Sequence, residues 1–390
     1  MTEPEKRRAG AGRTRPGPGP REEAAGVYLH VPFCSGKCAY CDFYSVTDRA
    51  RVSGWTDGVL REARLLGPRF GPFDTLYLGG GTPSLLEPRT LERLMEGLRG
   101  TVRFLPDTEV TLEVNPEDVA PDRLSAWRGL GVNRVSLGVQ SLDDGELRVL
   151  GRRHSAACAR RALDRLLDGG FRSVSADLIY GLPGRGPDSW PRTLSGILEQ
   201  GPRHISCYEL TASPETALGR RVASGRVSLP AEGETAALFL DTSRRLRARG
   251  FVHYEISNFA RPGHESRHNR KYWRRAPYLG LGPGAHSFLH PVRWWNPSCL
   301  DRWSRRLERD RPPAEGRERL TPEQELLERL WLGFRTCEGV AADVLDGVTG
   351  ADRIAGELER SGLITRQGLT MVPTTRGFLV SDRLPLLFAA

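Results

Sequence analysis

The sequence predicts an α/β fold, with parallel strands and helices packed outside them. Two observations predict it. Strand-like apolar runs alternate with helix-period runs about six times between positions 27 and 256, the pattern of consecutive βα units. The polar and glycine-rich segments all fall just past strand ends, the face on which α/β barrels carry their chemistry. Six units are too few for a closed eight-fold barrel.

The strands are expected at 27–31, 75–78, 109–114, 134–139, 174–180, 204–210 and 252–256. Each run is short and rich in Val, Leu, Ile or Tyr, as buried strands are. Helices are expected between them at 51–66, 91–98, 122–129, 156–167, 189–200 and 236–249. From 259 to 296 the alternation stops, and the chain becomes aromatic and rich in His and Gly. A charged linker is expected at 302–313. Helices then follow at 323–334, 342–345 and 354–359, with two short strands, 363–365 and 369–373, joined at Gln367-Gly368. Helices followed by a hairpin make this end winged-helix-like. No basic recognition helix stands out in it, so it reads as a cap or partner surface and not as a DNA reader. The expected organisation is a tail at 1–26, a barrel at 27–258, an extension and linker at 259–313, and a small C-terminal domain at 314–390.

The chain has 390 residues, 38% of them hydrophobic, which is enough for a sizeable core. Its net charge is +9, yet only Lys6, Lys37 and Lys271 among its 57 basic residues are lysine. That arginine bias reads as base composition, and no basic stripe interleaved with aromatics marks a nucleic-acid surface. A basic face would still suit an acidic electron donor. Residues 1–26 hold Pro, Gly and Arg with few apolar side chains, so disorder is expected there. No run has the apolar length of a transmembrane helix. Seven cysteines in a chain this long are not a disulfide framework, and the cytoplasm is the expected compartment. Cys158, Cys207, Cys299 and Cys337 are scattered and expected as small buried apolar residues.

The first strand runs into Cys34, Cys38 and Cys41, spaced C-x3-C-x2-C. Clustered thiolates are soft metal ligands. A structural zinc site needs four closed ligands, and Phe43 stands where a fourth could follow. Three thiolates suit a 4Fe–4S cluster with one iron left open. Past later strands come Gly79-Gly80-Gly81-Thr82, where a backbone can approach a ligand closely, then Glu113, Gln140, Arg152 and Asp177. A carboxylate inside an apolar strand needs a partner or a ligand, so these are either core ion pairs or a binding site.

The C-x3-C-x2-C loop, with Tyr40 before its last cysteine, resembles the radical S-adenosylmethionine (SAM) superfamily. The resemblance implies a partial (β/α)6 barrel, and a cluster whose open iron holds the amino and carboxylate groups of SAM. Reductive cleavage of SAM there yields a 5′-deoxyadenosyl radical. From position 27 to about 382 the chain resembles the anaerobic coproporphyrinogen oxidase family. By that resemblance Tyr28, Tyr40, Gly80, Gly81, Thr82, Glu113, Gln140, Arg152, Asp177 and Thr211 contact SAM.

Within that family, Phe43 in place of a fourth cysteine is similar to the heme-chaperone branch, HemW. So are the short N-terminal region and His268-Asn269-Arg270-Lys271-Tyr272-Trp273, which matches H-N-x-x-Y-W. Many members carry Cys where Ser266 stands, so a thiol role there does not carry over. The branch implies heme as a ligand, with His268, Tyr272 and Trp273 as candidates and His30, His264 and His286 as alternatives. It implies an apo-hemoprotein acceptor, and a flavodoxin- or ferredoxin-type donor and peripheral membrane contact are compatible with it. An oxygen-independent coproporphyrinogen III dehydrogenase, or another radical enzyme acting on a tetrapyrrole, stays open beside the chaperone. So does the question of whether the protein is an enzyme.

Overall fold

The computed structural model describes residues 23–184, 186 and 188–388. Six parallel strands lead: β1 (Ala25–Val31), β2 (Phe73–Gly80), β3 (Phe104–Val114), β4 (Arg134–Gln140), β5 (Ser173–Tyr180) and β6 (His204–Glu209). Between and after them run α1 (Val52–Leu66), α2 (Pro88–Arg99), α3 (Pro121–Gly129), α4 (Asp144–Leu150), α5 (Ala156–Asp168), α6 (Ser189–Gln200), α7 (Ala217–Ala223) and α8 (Glu232–Ala248). Neighbouring strands pair in chain order, each parallel to the next. That is the six-unit α/β arrangement the alternation predicts.

The aromatic stretch does not merely cover this sheet; it widens it. β7 (Val252–Glu255) and β8 (Asn258–Ala260) add antiparallel strands beside β6. After α9 (Arg267–Trp273), β9 (Tyr278–Leu281) returns to the far side and pairs parallel with β1. β10 (His286–Leu289), β11 (Val292–Trp295) and β12 (Gly316–Arg319) continue outward as an antiparallel meander. The sheet therefore has twelve strands, and β1 with its cysteine loop lies inside it. β12 lies beyond the boundary expected at 314 and still belongs to this sheet.

Two other expectations need correction. Ala25 and Gly26, assigned to the tail, belong to β1: Ala25 N–H bonds the Pro72 carbonyl and Gly26 N–H that of Pro277, both at 3.0 Å. A Cβ on Gly26 would meet Thr75 Oγ1 at 2.8 Å, so the strand begins where only a small residue fits. Residues 1–22, where disorder is expected, lie outside the described residues. The charged linker is half helix. α10 (Leu300–Leu307) buries Leu300, Trp303 and Leu307, one helical face, against α1. Trp303 is fully buried, worth about 2–3 kcal/mol in apolar transfer alone. Its indole N–H donates to Glu62 Oε2 at 2.9 Å.

A second, separate apolar cluster holds the C-terminal elements α11 (Pro322–Gly333), β13 (Val340–Ala341), α12 (Ala351–Arg360), β14 (Ile364–Gln367) and β15 (Thr370–Pro373), while α13 (Thr375–Leu379) sends Phe378 into the main core against His253. Leu330, Phe334, Leu358, Ile364 and Met371 form the centre of the second cluster. The three strands make their own antiparallel sheet. It is tied to β7 by Cys337 N–H to the Tyr254 carbonyl, 3.0 Å, and Ile256 N–H to that of Arg335, 3.1 Å. Among the described residues no helix is long and apolar enough to cross a membrane.

Candidate functional site

The sheet places the cysteine loop over the C-terminal ends of the parallel strands. Loop geometry is fixed from both sides. Gly81 N–H bonds the Val31 carbonyl and Thr82 N–H that of Phe33, each at 2.8 Å, so the end of β2 grips the exit of β1. A Cβ on Gly81 would lie 2.6 Å from the Val31 oxygen, and Gly80 has φ +103°, so glycine is required at both. Ala39 N–H bonds the Leu150 carbonyl at 3.0 Å and Leu218 N–H that of Ala39 at 2.7 Å, so α4 and α7 hold the loop's other arm.

Under the loop lies a cavity of about 570 Å³. Cys34, Cys38 and Cys41 line it together with Tyr40, Gly80, Gly81, Thr82, Glu113, Gln140, Arg152, Asp177 and Thr211. Tyr28 does not; it lines a neighbouring cleft, with its ring 6.1 Å from that of Tyr77 on the cavity wall. All seven cysteines are free. Of the four outside the loop only Cys207 is buried. Cys158 and Cys299 are half-buried and Cys337 exposed, since they sit at helix starts and a turn and not on inward faces.

The polar side chains of the cavity are wired together. Glu113 accepts from the Tyr77 hydroxyl at 2.8 Å and from Gly80 N–H at 3.0 Å. Burial, with the Asp177 carboxylate nearby, pushes its pKa up to about 7 against the pull of the Tyr77 bond. Asp177 accepts from Ser136, Ser206 and Ser175 at 2.7, 2.7 and 3.0 Å, and burial raises its pKa despite those three bonds. Arg152 donates from Nη2 to Asn115 Oδ1 at 2.7 Å and to the Gly138 carbonyl at 3.0 Å, and from Nη1 to Cys38 Sγ at 3.6 Å. Its Nε is buried without a protein partner. Glu113 and Arg152 do not pair with each other; each is held by other groups. Gln140 has φ +66°, a left-handed conformation unusual outside glycine and typical of constrained sites.

Sequence reasoning missed Asn115, which joins Arg152 to Thr82 through Oδ1 and Nδ2, the latter contact being 3.4 Å. It also missed the three serines around Asp177. Their signal was available: each serine lies on a strand within reach of Asp177 in the parallel register.

The donor set fits the cluster that the spacing suggests and the SAM that the resemblance implies. Three free thiols share one cavity wall, and Thr82 Oγ1 and Arg152 Nη1 donate toward Cys34 and Cys38 sulfurs at 3.5 and 3.6 Å, contacts that suit thiolates. A buried guanidinium with an unused N–H suits a carboxylate, and buried carboxyls suit an ammonium and hydroxyls.

The aromatic motif is arranged differently from expectation. His268 is 1% exposed. Its Nδ1 bonds Thr75 Oγ1 at 2.8 Å and its Nε2 the Tyr272 hydroxyl at 2.9 Å. Burial, with Lys271 nearby, lowers its pKa to about 3. Both ring nitrogens are engaged, so ligating iron through either would require breaking one of these bonds. Tyr272, one turn along, lines the cleft beside Tyr28, whereas Trp273 lines a small cavity toward Cys337 and Glu338. The three residues thus part company around α9. Lys271 is buried and paired with Asp74 at 2.6 Å. Ser266 caps α9, accepting from Asn269 N–H at 3.2 Å.

Comparison with known proteins agrees with this architecture. The profile of the radical SAM superfamily matches residues 28–195. A protein of Mycobacterium tuberculosis named heme chaperone HemW is 37% identical over 364 residues, 92% of this chain and 93% of that one. A Synechocystis protein of the same name is 36% identical, covering 84% and 82%. This chain belongs to the HemW family of radical SAM proteins. Membership implies a 4Fe–4S cluster and SAM. The structure of Escherichia coli coproporphyrinogen III oxidase, HemN, superposes with a TM-score of 0.81 over 95% of this chain and 91% of that one. At 23% identity it shows the shared fold.

Proposed function

We propose that this protein is a heme chaperone that carries a 4Fe–4S cluster with exchangeable SAM and passes heme to acceptor proteins. The observation that carries the reading is the kinship, along 92% of the chain, with proteins named heme chaperone. Phe43 supports it over the dehydrogenase reading, since it replaces the fourth cysteine that the dehydrogenase resemblance calls for.

In this reading Cys34, Cys38 and Cys41 would hold the cluster through their thiolates. Arg152 Nε receives the SAM carboxylate, and Glu113 with the Gly80–Thr82 backbone receives its ammonium. Asp177, held by three serines, orients ribose hydroxyls, with Gln140, Tyr40 and Thr211 closing around the rest. A cluster bound there supplies a low-potential electron to SAM. Trading heme rather than transforming a substrate needs no further catalytic group.

The test is anaerobic. Reconstituted protein with SAM and a reductant is offered heme and coproporphyrinogen III in parallel. Heme retained and released to an apo-hemoprotein, with coproporphyrinogen unchanged, is the expected result. Loss of propionate carboxylates from coproporphyrinogen overturns it in favour of the dehydrogenase.

A further inference from the structure

A second cleft, of about 450 Å³, opens on the other side of the cysteine loop. Its volume lies within the range of cofactor sites. Tyr28, Tyr44, Tyr272 and Tyr278 contribute to its wall, and His286 stands among them. Asp42 and Phe43 line both this cleft and the cluster cavity, so one loop segment separates the two spaces. Phe43 is 60% exposed, an unusual state for a large apolar ring beside a built site.

The histidines decide what the cleft can bind. The chain has eight. His30, His204, His253 and His268 are buried with both ring nitrogens engaged. His154 is buried and bonds the Val139 carbonyl. His264 meets Arg203, and His290 meets Glu325, both away from this cleft. His286 alone among the described histidines has no hydrogen-bond partner. It begins β10, pairs in register with Trp295, and its ring stacks on that indole at 6.0 Å between centroids with the planes 24° apart. Burial, with the Arg293 charge nearby, holds its pKa below the ordinary imidazole value, so a nitrogen lone pair is free at neutral pH.

We propose that this cleft is the heme site, with His286 as axial ligand to the iron and the tyrosine rings against the porphyrin. A planar, largely apolar macrocycle needs aromatic walls, and its iron needs one unprotonated nitrogen. The cleft supplies both. Phe43 then stands between the porphyrin and the cluster cavity, in the position that a fourth cysteine would occupy. This inference rests on the heme-chaperone reading and assigns it a place; Tyr272 keeps a role as wall, and His268 becomes its buried support.

The experiment titrates ferric protoporphyrin IX anaerobically into the full chain with its cluster reconstituted. Wild type, His286→Ala, His286→Met and His290→Ala are compared by difference absorption at the Soret band and by heme EPR. In His286→Ala, affinity should fall about tenfold or more and the histidine-ligated signature should vanish. His286→Met should bind with a different, thioether-type spectrum, and His290→Ala should match wild type. Metal-free protoporphyrin IX, which has no iron to ligate, should bind wild type and His286→Ala alike. Wild-type spectrum and affinity in both His286 variants would overturn the site and leave the chaperone reading standing. Equal weakening of the metal-free porphyrin would overturn ligation. No heme binding by wild type would overturn the chaperone reading itself.

Discussion

The two spaces beside Phe43 are built from opposite materials. In the cluster cavity the charged side chains are wired in advance: Arg152 through three contacts, Asp177 through three serines, Glu113 through Tyr77 and a backbone amide. In the aromatic cleft the walls are rings, and the one imidazole free to act has no hydrogen bond. In the proposed reading, the difference follows from the chemistry each would receive. A small zwitterion is strongly hydrated, and a buried site replaces that water only if its dipoles are already fixed. A porphyrin asks for apolar area and a single lone pair, so flat surfaces and an uncommitted histidine suffice. On that reading one site would select by a network, the other by shape.

The largest expected effect breaks the first site at its root. Cys34→Ala, Cys38→Ala or Cys41→Ala should abolish the visible absorption of the reconstituted cluster, which should contain about four irons per chain. Cys158→Ala, on α5 and outside the cavity, should leave it intact. Tightly bound zinc without labile sulfide in wild type would sink the cluster. Heme titration of the same variants sharpens the comparison. Porphyrin binding should persist without a cluster if the two spaces are separate, and a joint loss would mean that the loop itself holds the cleft open.

A smaller effect, on pH dependence, tests whether the network is electrostatic. Glu113 is raised from 4.5 to about 7 by burial. A carboxyl with a raised folded pKa contributes stability that is fully present below the unfolded pKa and is lost as pH rises through the folded one. The ligand-free protein should therefore lose part of its stability between about pH 4.5 and 7. SAM affinity should move the opposite way, since an ammonium prefers the ionised carboxylate, and should rise by roughly tenfold from pH 6 to 8. Glu113→Gln should flatten both profiles. Calorimetric SAM titrations across that range check it, and an unchanged slope in the variant would assign the titration to another group, with Asp177 the nearest one. The aromatic cleft should respond in a distinguishable way, because burial moves His286 down from the ordinary imidazole value while it moves Glu113 up from the carboxylate one.

Much of the first site was legible and little of the second. C-x3-C-x2-C, the glycine run and the carboxylates at strand ends are local signals, and parallel strands in chain order bring local signals together without further information. The cleft depends on β9 returning to pair with β1 across some 250 residues, and nothing in either strand's sequence announces that partner. Glu62 has the same cause. On α1 it looks like a surface residue, yet it is fully buried, where it accepts from Gly282, Asn296 and Trp303 at 2.8, 2.6 and 2.9 Å. His268 was ambiguous for the converse reason. A histidine beside aromatics reads equally as a ligand or as core, and only the bonds to Thr75 and Tyr272 decide. The linker at 302–313 was misread because its arginines hide the Leu300, Trp303 and Leu307 stripe.

The smallest expected effect concerns Lys37, an exposed residue of the cysteine loop that lines the cluster cavity. Reducing a cluster adds negative charge, and a cation at the rim favours that state. Lys37→Gln should therefore lower the reduction potential. Because Lys37 is open to solvent, salt should screen the effect: the Debye length is about 30 Å at 0.01 M and about 3 Å at 1 M. The difference between wild type and variant should be resolved at low ionic strength and collapse at high. Arg152, by contrast, is half-buried and donates directly toward Cys38, so its influence on the potential should survive salt better. Potentiometric EPR titration of wild type, Lys37→Gln and Arg152→Gln at two ionic strengths separates the cases. Identical midpoints for wild type and Lys37→Gln at low salt would leave Lys37 a solvated loop residue. A salt-sensitive shift in Arg152→Gln would mean that the wired cavity is wetter than its hydrogen bonds imply.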